Sequence, residues 1–91
     1  MNRQFDNLRL GSIELFCLTA QHQGFTAAAK ATGLTAAAVS RSVARLEERL
    51  GVRLLTRTTR SVSMTEAGER LYDTVAPRMQ EIEAELVAIS D

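Results

Sequence analysis

Side chains able to bind an anion recur within one short stretch of this sequence. Arg41 and Arg45 stand four residues apart in residues 35–51, TAAAVSRSVARLEERLG. The hydroxyl groups of Thr35 and Ser40 lie in the same stretch. A guanidinium group donates hydrogen bonds as a planar fork, and a hydroxyl group donates or accepts, so together they can bind phosphate oxygens or the edges of nucleic-acid bases. The alternative is an ordinary amphipathic helix whose outer arginines are solvated.

A helix over residues 36–50 is predicted to position these side chains. Thr35 can cap its first turn through a hydroxyl–amide hydrogen bond, and Gly51 can adopt the left-handed conformation that ends a helix. The apolar residues recur at spacings of four, three and four and so share one face: Val39, Val43, Leu46 and Leu50. The small residues Ala36 and Ala37 would let the N-terminal tip approach a surface closely. This pattern suits a helix that lies in a deep groove.

The charges of the chain divide into a basic head and an acidic tail. Residues 1–65 contain nine arginines and lysines against four acidic residues, a formal charge of +5. Residues 66–91 contain two basic residues against seven acidic ones, a formal charge of −5. With 91 residues the chain is long enough for one small domain. The distribution therefore predicts an anionic partner for the head alone.

The remaining chemical groups of the sequence argue against an enzyme. Cys17 is the only cysteine and lies in an apolar helical run, which is typical of a small core residue. His22 is the only histidine, and no cysteine or carboxylate stands at metal or catalytic-triad spacing from it. The glycines are interpreted as turns and caps, outside any phosphate-binding loop. We therefore expect no catalytic residue, metal or cofactor.

The apolar content gives no signal for a membrane protein. No stretch is long and apolar enough to span a bilayer, and the N-terminus lacks the apolar run of a signal peptide. The sequence therefore predicts a cytoplasmic protein without a membrane partner.

Two further helices and a hairpin are predicted around the central helix. One helix is expected over residues 10–22 and a second over residues 25–32, with Gly33 in the turn that follows. A short helix, a turn containing glycine and a second helix form a helix-turn-helix. The β-branched runs at residues 52–57 and 61–64 predict a two-stranded hairpin, a wing. The residues expected to pack it on the helices are Leu54, Leu55, Val62 and Met64.

A long helix is predicted from the Thr65 cap to the last residue. Its apolar residues step by three or four and form a seam like that of a coiled coil: Leu71, Val75, Met79, Ile82, Leu86 and Ile89. Pro77 predicts a kink or a lost hydrogen bond near Asp73. The seam either packs on its own domain or contacts a second copy, and we favour the second copy because it continues to residue 89. The chain is thus predicted to be mainly α, with flexible residues 1–9, a winged helix-turn-helix at 10–65 and a linker and dimerisation helix at 66–91.

Three segments of the sequence resemble a known protein family. The segments GFTAAAKATGLT, AVSRSVARLEERLGVRLLTRTTRSVSMTEAGERLY and PRMQEIEAEL resemble the N-terminal DNA-binding domain of LysR-type transcriptional regulators, over residues 10–86. The resemblance implies that helix 36–50 enters the major groove and that the wing, residues 53–64, approaches the minor groove. It also implies a homodimer joined by antiparallel linker helices, on double-stranded DNA with an interrupted inverted repeat. Family members sense small-molecule effectors through a larger domain, which we expect to be absent here.

Ten residues are expected to contact DNA. The resemblance implies Thr26, Ser40, Arg41, Arg45, Arg57 and Arg60, and their neighbours at the tip of the helix and in the wing complete the set: Thr35, Ala36, Ala37 and Thr58. Arg41 is expected to contact a base edge, with a phosphate contact as the alternative, and the hydroxyl groups to contact phosphates. The family commonly has glutamine or proline where Ala36 and Ala37 stand. Alanine offers only a methyl contact to thymine, which leaves more of the specificity to Arg41 and to DNA shape.

Arg49 and Arg53 are either solvated or paired with an acidic neighbour. Glu47 is expected to be structural, because a carboxylate facing phosphates would repel them. A winged helix that serves as a protein-interaction module is the alternative function, and its basic face would tolerate substitution of arginine without loss of DNA affinity.

Overall fold

The computed structural model describes residues 11–58 and 61–90, which form five helices and strands around a small core plus one long helix. In chain order they are α1 (Gly11–His22), α2 (Phe25–Thr32), α3 (Ala36–Leu50), β1 (Leu55–Arg57), β2 (Val62–Met64) and α4 (Glu66–Ser90). This order confirms the mainly α winged helix-turn-helix fold followed by a long helix. The flexibility expected for residues 1–9 concerns residues outside the described part.

The helix-turn-helix forms where local signals predict it. Gly33 ends α2 with a φ of 77°, and its amide N–H donates to the carbonyl of Ala29 at 2.9 Å. Thr35 then caps α3, since its Oγ1 accepts the amide N–H of Ala38 at 3.0 Å. Gly51, also at φ 77°, ends α3. Both glycines adopt the left-handed conformation that a residue with a Cβ rarely adopts.

The core joins the first helix, the third helix and the wing. One cluster of buried residues contains Phe16, Cys17, Val43, Leu46, Leu54, Leu55 and Val62, and a second contains Ala28, Ala29 and Val39. The two alanines of α2 let α3 pack closely, so α3 is held against both α1 and α2. Leu50 departs from the predicted apolar face. It is 50% exposed, because the core ends one turn before the end of α3.

The wing is a short antiparallel hairpin. Leu55 pairs with Met64, and Arg57 pairs with Val62, so the strands are shorter than the predicted runs. An isolated hairpin of this length is marginal in water. Leu54 and Leu55 are 1% and 0% exposed, which confirms that apolar packing on the helices holds the wing in place.

The last helix begins close to the wing and runs beyond the core. Thr65 Oγ1 accepts the amide N–H of Gly68 at 3.0 Å and donates to the carbonyl of Arg53 at 2.7 Å, so one hydroxyl caps α4 and ties it to the wing. The helix runs unbroken through Pro77 to Ser90. Among the described helices, none combines the length and the apolar character that crossing a bilayer requires.

Gly68 is neither a turn nor a cap, in contrast to the expectation for the glycines. It is buried in the first turn of α4, directly beside the segment that leads into β1. A Cβ placed on Gly68 would overlap the carbonyl oxygen of Leu54 and would lie 3.3 Å from Cβ of Met64. The glycine therefore permits a close approach of α4 to the wing.

Candidate nucleic-acid interface

The outer face of α3 presents two arginines to solvent. Arg41 and Arg45 are exposed, and within the described residues neither forms a hydrogen bond or an ion pair. Ala37 and Ala44 are exposed on the same face. Each guanidinium group therefore has its donors available for an external acceptor, and small side chains beside it leave room for that acceptor to approach.

The N-terminal tip of α3 adds backbone donors to this surface. The amide groups of Ala36 and Ala37 have no carbonyl partner one turn earlier within the helix. Thr35 satisfies the amide N–H of Ala38 and lies exposed at the same end. Free amide N–H groups and the positive end of the helix dipole favour an anion there. The structure thus brings Thr35, Ala36 and Ala37 together at one tip.

Thr26 lies in the first turn of α2, the other helix of the helix-turn-helix. It is exposed, and its hydroxyl makes no hydrogen bond to the described residues. The N-cap of α2 is Gly24, which offers no side chain to the helix end. The Thr26 hydroxyl is therefore available to a phosphate.

Ser40 and Arg57 contact each other, which the sequence did not indicate. The Nη1 of Arg57 donates to the Oγ of Ser40 at 3.1 Å, and its Nη2 lies 3.7 Å from the Oε1 of Glu47. The guanidinium carbon also lies 4.7 Å from the ring centre of Phe25. Arg57 thus folds back from β1 onto α2 and α3 through a hydrogen bond, an ion pair and a cation–π contact.

Glu47 is the buried acceptor that attaches the wing to α3. Its side chain is 6% exposed. Its Oε2 accepts the amide N–H of Leu54 at 2.8 Å and that of Leu55 at 3.1 Å. Arg53 donates from Nε to the same oxygen at 3.4 Å. Of the two alternatives that the sequence allowed for Arg53, solvation or pairing with an acidic neighbour, the structure shows the pairing. The structural role expected for Glu47 is therefore confirmed, with backbone amides as its principal partners.

The tip of the wing turns at Thr58 and Ser61. The amide N–H of Thr58 donates to the carbonyl of Ser61 at 2.9 Å, and the amide N–H of Ser61 donates to Oγ1 of Thr58 at 3.0 Å. Thr58 is exposed at this turn. Arg60, the other expected contact of the wing, lies outside the described residues.

An open groove of about 610 Å³ separates the outer face of α3 from the start of the wing. Its walls include Ala44, Glu48 and Arg53. Because charges of both signs line it, this groove is a poorer place for a phosphate than the N-terminal tip of α3. The tip of α3 and its outer arginines therefore offer an anion the more favourable electrostatic surroundings.

The isolated cysteine and histidine lie away from this surface. Burial raises the pKa of the Cys17 thiol to about 11, and the nearby Glu14 carboxylate adds to the rise. The thiol is therefore protonated at neutral pH and a poor nucleophile. His22 is exposed at the end of α1. Within residues 11–58 and 61–90, no group of three or more metal-ligating side chains is present.

The seam of α4 divides into two parts. Leu71 and Val75 are partly buried and pack against the core of their own domain. Beyond them the helix is solvent-exposed throughout residues 81–90. In this outer part Ile82 is 49%, Leu86 60% and Ile89 71% exposed. The part of the seam available to a partner is therefore its C-terminal half.

Comparison with known proteins identifies the domain. Residues 10–69 match the model of the bacterial regulatory helix-turn-helix proteins of the lysR family. The transcriptional regulator PgrR of Escherichia coli K12 is 43% identical over 82 residues, which are 90% of this chain and 27% of PgrR. Full-length AphB, a virulence activator of Vibrio cholerae, aligns at a TM-score of 0.86 and 32% identity over 92% of this chain and 29% of AphB. The DNA-binding domain of BenM, solved with catB site 1 DNA, aligns at a TM-score of 0.81 and 28% identity over 91% of each chain. This chain thus spans less than a third of PgrR and AphB.

Proposed function

Because this chain belongs to the LysR family of bacterial regulatory helix-turn-helix proteins, a family of DNA-binding regulators and not of enzymes, we propose that it binds double-stranded DNA in a sequence-specific manner as a homodimer. The exposed Arg41 and Arg45 beside the small tip of α3, which have no partner among residues 11–58 and 61–90, carry this proposal. The BenM domain, which has this fold, was solved with DNA, and that supports the choice of partner. Transcription regulation by a cytoplasmic protein follows, since bacterial DNA lies in the cytoplasm.

In the proposed complex, α3 lies in the major groove. That groove is wide enough to admit a helix. Ala36 and Ala37 allow the tip of α3 to approach the base edges, and Arg41 extends past them. Thr26, Thr35 and Ser40 donate to phosphates and fix the register without reading sequence. The wing, with Thr58 at its described tip, approaches the adjacent minor groove, and the sequence resemblance adds Arg60 to the expected contacts there.

Arg41→Ala is expected to weaken binding to the preferred duplex by about 1–3 kcal/mol and to relax specificity, because its fork can reach O6 and N7 of one guanine. Binding to a scrambled duplex should change much less. Fluorescence anisotropy with both duplexes, at several salt concentrations, measures the difference. An equal loss on both duplexes, with a salt slope smaller by about one, would instead assign Arg41 to a phosphate.

The homodimer is proposed to form through the outer half of α4. An exposed apolar stripe of this length favours a partner surface. Next to the start of α4, an open apolar groove of about 380 Å³ contains Leu50 and Leu71. Two α4 helices paired antiparallel about an axis near Met79 would set the partner's Leu86 against Leu71. Arg70 lines the same groove and would face the acidic outer half of the partner helix.

Ile82→Glu combined with Leu86→Glu is expected to make the protein monomeric, because two charges would then have to be buried in the seam. Loss of avidity should weaken binding to paired half-sites at least about a hundredfold. Sedimentation velocity measures the mass, and anisotropy the affinity. Gln80→Glu with Val87→Glu is the matched control, since it adds two charges on the opposite, exposed face. An unchanged mass in the seam variant would place the interface elsewhere.

Selection of duplexes from a random pool tests the function directly. The selected duplex is then titrated against a scrambled duplex over a range of salt concentrations. A sequence-reading dimer yields an interrupted inverted repeat, a large preference over the scrambled duplex and a steep negative salt slope. Salt-sensitive binding without enrichment would reduce the function to non-specific DNA binding. Absence of binding at low salt would favour the protein-interaction module.

A further inference from the structure

The side chain of Arg57, on strand β1, is contacted by three residues that lie on helices α2 and α3. Its guanidinium group donates to Ser40, lies 3.7 Å from a carboxylate oxygen of Glu47 and covers the ring of Phe25. Only 33% of the side chain is exposed. To reach into a DNA groove, Arg57 would have to break these contacts. One of them is with the buried Glu47 and another is with the apolar ring of Phe25. This geometry differs from the direct contact that the resemblance implies for Arg57.

We propose that Arg57 is a positioning residue that acts on the DNA backbone through the hydroxyl group of Ser40. The inference rests on the proposed function, because it assumes that Ser40 donates to a phosphate. Ser40 has one hydrogen and accepts from Arg57 through its oxygen. That acceptance directs the hydroxyl hydrogen away from the guanidinium group. The positive charge of Arg57 also polarises the hydroxyl and makes it a stronger donor to an anion.

The same contacts determine the position of the wing relative to α3. Arg57 is the last residue of β1, while Ser40 and Glu47 lie on α3 two turns apart. Phe25, at the start of α2, supports the guanidinium group from a third side. Glu47, whose carboxylate also pairs with Arg53, offsets part of the charge of Arg57 within the protein. Arg57 therefore contributes mainly orientation to the interface, and its guanidinium group is occupied by these contacts instead of a phosphate.

A double-mutant cycle on the selected duplex tests this role. The variants are Ser40→Ala, Arg57→Met and the double variant; methionine keeps an unbranched stem over Phe25 but removes the donors. Each single substitution is expected to weaken binding on the order of tenfold. The double variant should be no more than about threefold weaker than either single variant, because both remove the same phosphate contact. The salt slope should stay that of the wild type in Arg57→Met.

Arg45→Met is the matched control, since Arg45 is exposed on the same surface and has no partner within the described residues. Its effect should add to that of Ser40→Ala and should reduce the salt slope by about one. Circular dichroism establishes that each variant is folded. If Arg57→Met does not fold, Arg57→Lys replaces it; the ammonium group keeps the charge and can donate to Ser40, so this variant should keep part of the wild-type affinity. Additive losses for Ser40 and Arg57, a reduced slope in Arg57→Met, or wild-type affinity in that variant would overturn the inference. Failure of the wild type to bind DNA would overturn the proposed function instead.

Discussion

Gly68→Ala is expected to destabilise the domain by at least about 2 kcal/mol, although alanine is the better helix former. In an exposed helix interior the same change would stabilise by about 1 kcal/mol. Here the added methyl group would overlap the carbonyl oxygen of Leu54, which accepts the amide N–H of Thr65 at 3.0 Å. Relief of the overlap requires α4 to move away from the wing, and that movement breaks the contacts of the Thr65 cap.

Urea unfolding, monitored by circular dichroism, measures this change in the free energy of unfolding. Gly24→Ala is the matched control, because Gly24 has an extended φ of 178° and a Cβ there would meet no atom within 4 Å. Its expected cost is less than about 1 kcal/mol, since it alters only an N-cap. Stabilisation by Gly68→Ala would mean that the approach of α4 to Leu54 is looser than the structure has it.

Those parts of the fold whose signals are local could be predicted from the sequence. Helix α3 begins after Thr35 and ends before Gly51, because the cap, the apolar period and the left-handed glycine all lie within its own sequence. Helix α2 has the predicted bounds for the same reason. The exposed arginines of α3 followed from its period as well. The helical period identifies which residues share a face but not how deeply each of them is buried along it. The exposure of Leu50 could therefore not be predicted from the sequence.

Features that depend on contacts between two distant segments could not be predicted from the sequence. Gly68 meets Leu54, and Arg57 meets Ser40 and Phe25, at sequence separations that no helical or strand period relates. The sequence could assign Arg57 to a basic wing but not the direction of its side chain. It could likewise predict that Glu47 is structural from its sign alone, while the identity of its partners required the packing of the wing on α3.

Glu47→Ala is expected to cost about 2 kcal/mol or more of unfolding free energy, because it removes the buried carboxylate that accepts two backbone amide N–H groups. Two amide N–H groups, of Leu54 and Leu55, would lose their acceptor inside the protein, and each unsatisfied donor costs about 1–3 kcal/mol. Arg57 would lose its offsetting charge in the same step. Besides its apolar packing, the segment before β1 would then keep the hydrogen bonds on its other side, where Thr65 contacts the carbonyls of Arg53 and Leu54.

Two variants and a local measurement separate this cause from a general effect of charge. Glu48→Ala removes the same charge from an exposed neighbour and should change stability by less than about 0.5 kcal/mol. Glu47→Gln keeps an acceptor oxygen but not the charge, so its cost should fall between the two. Amide hydrogen exchange at Leu54 and Leu55 should be slow in the wild type and fast in Glu47→Ala. If both amides remained protected in Glu47→Ala, the carboxylate would not be what attaches the wing to α3, and the placement of Arg57 over Ser40 would need another support.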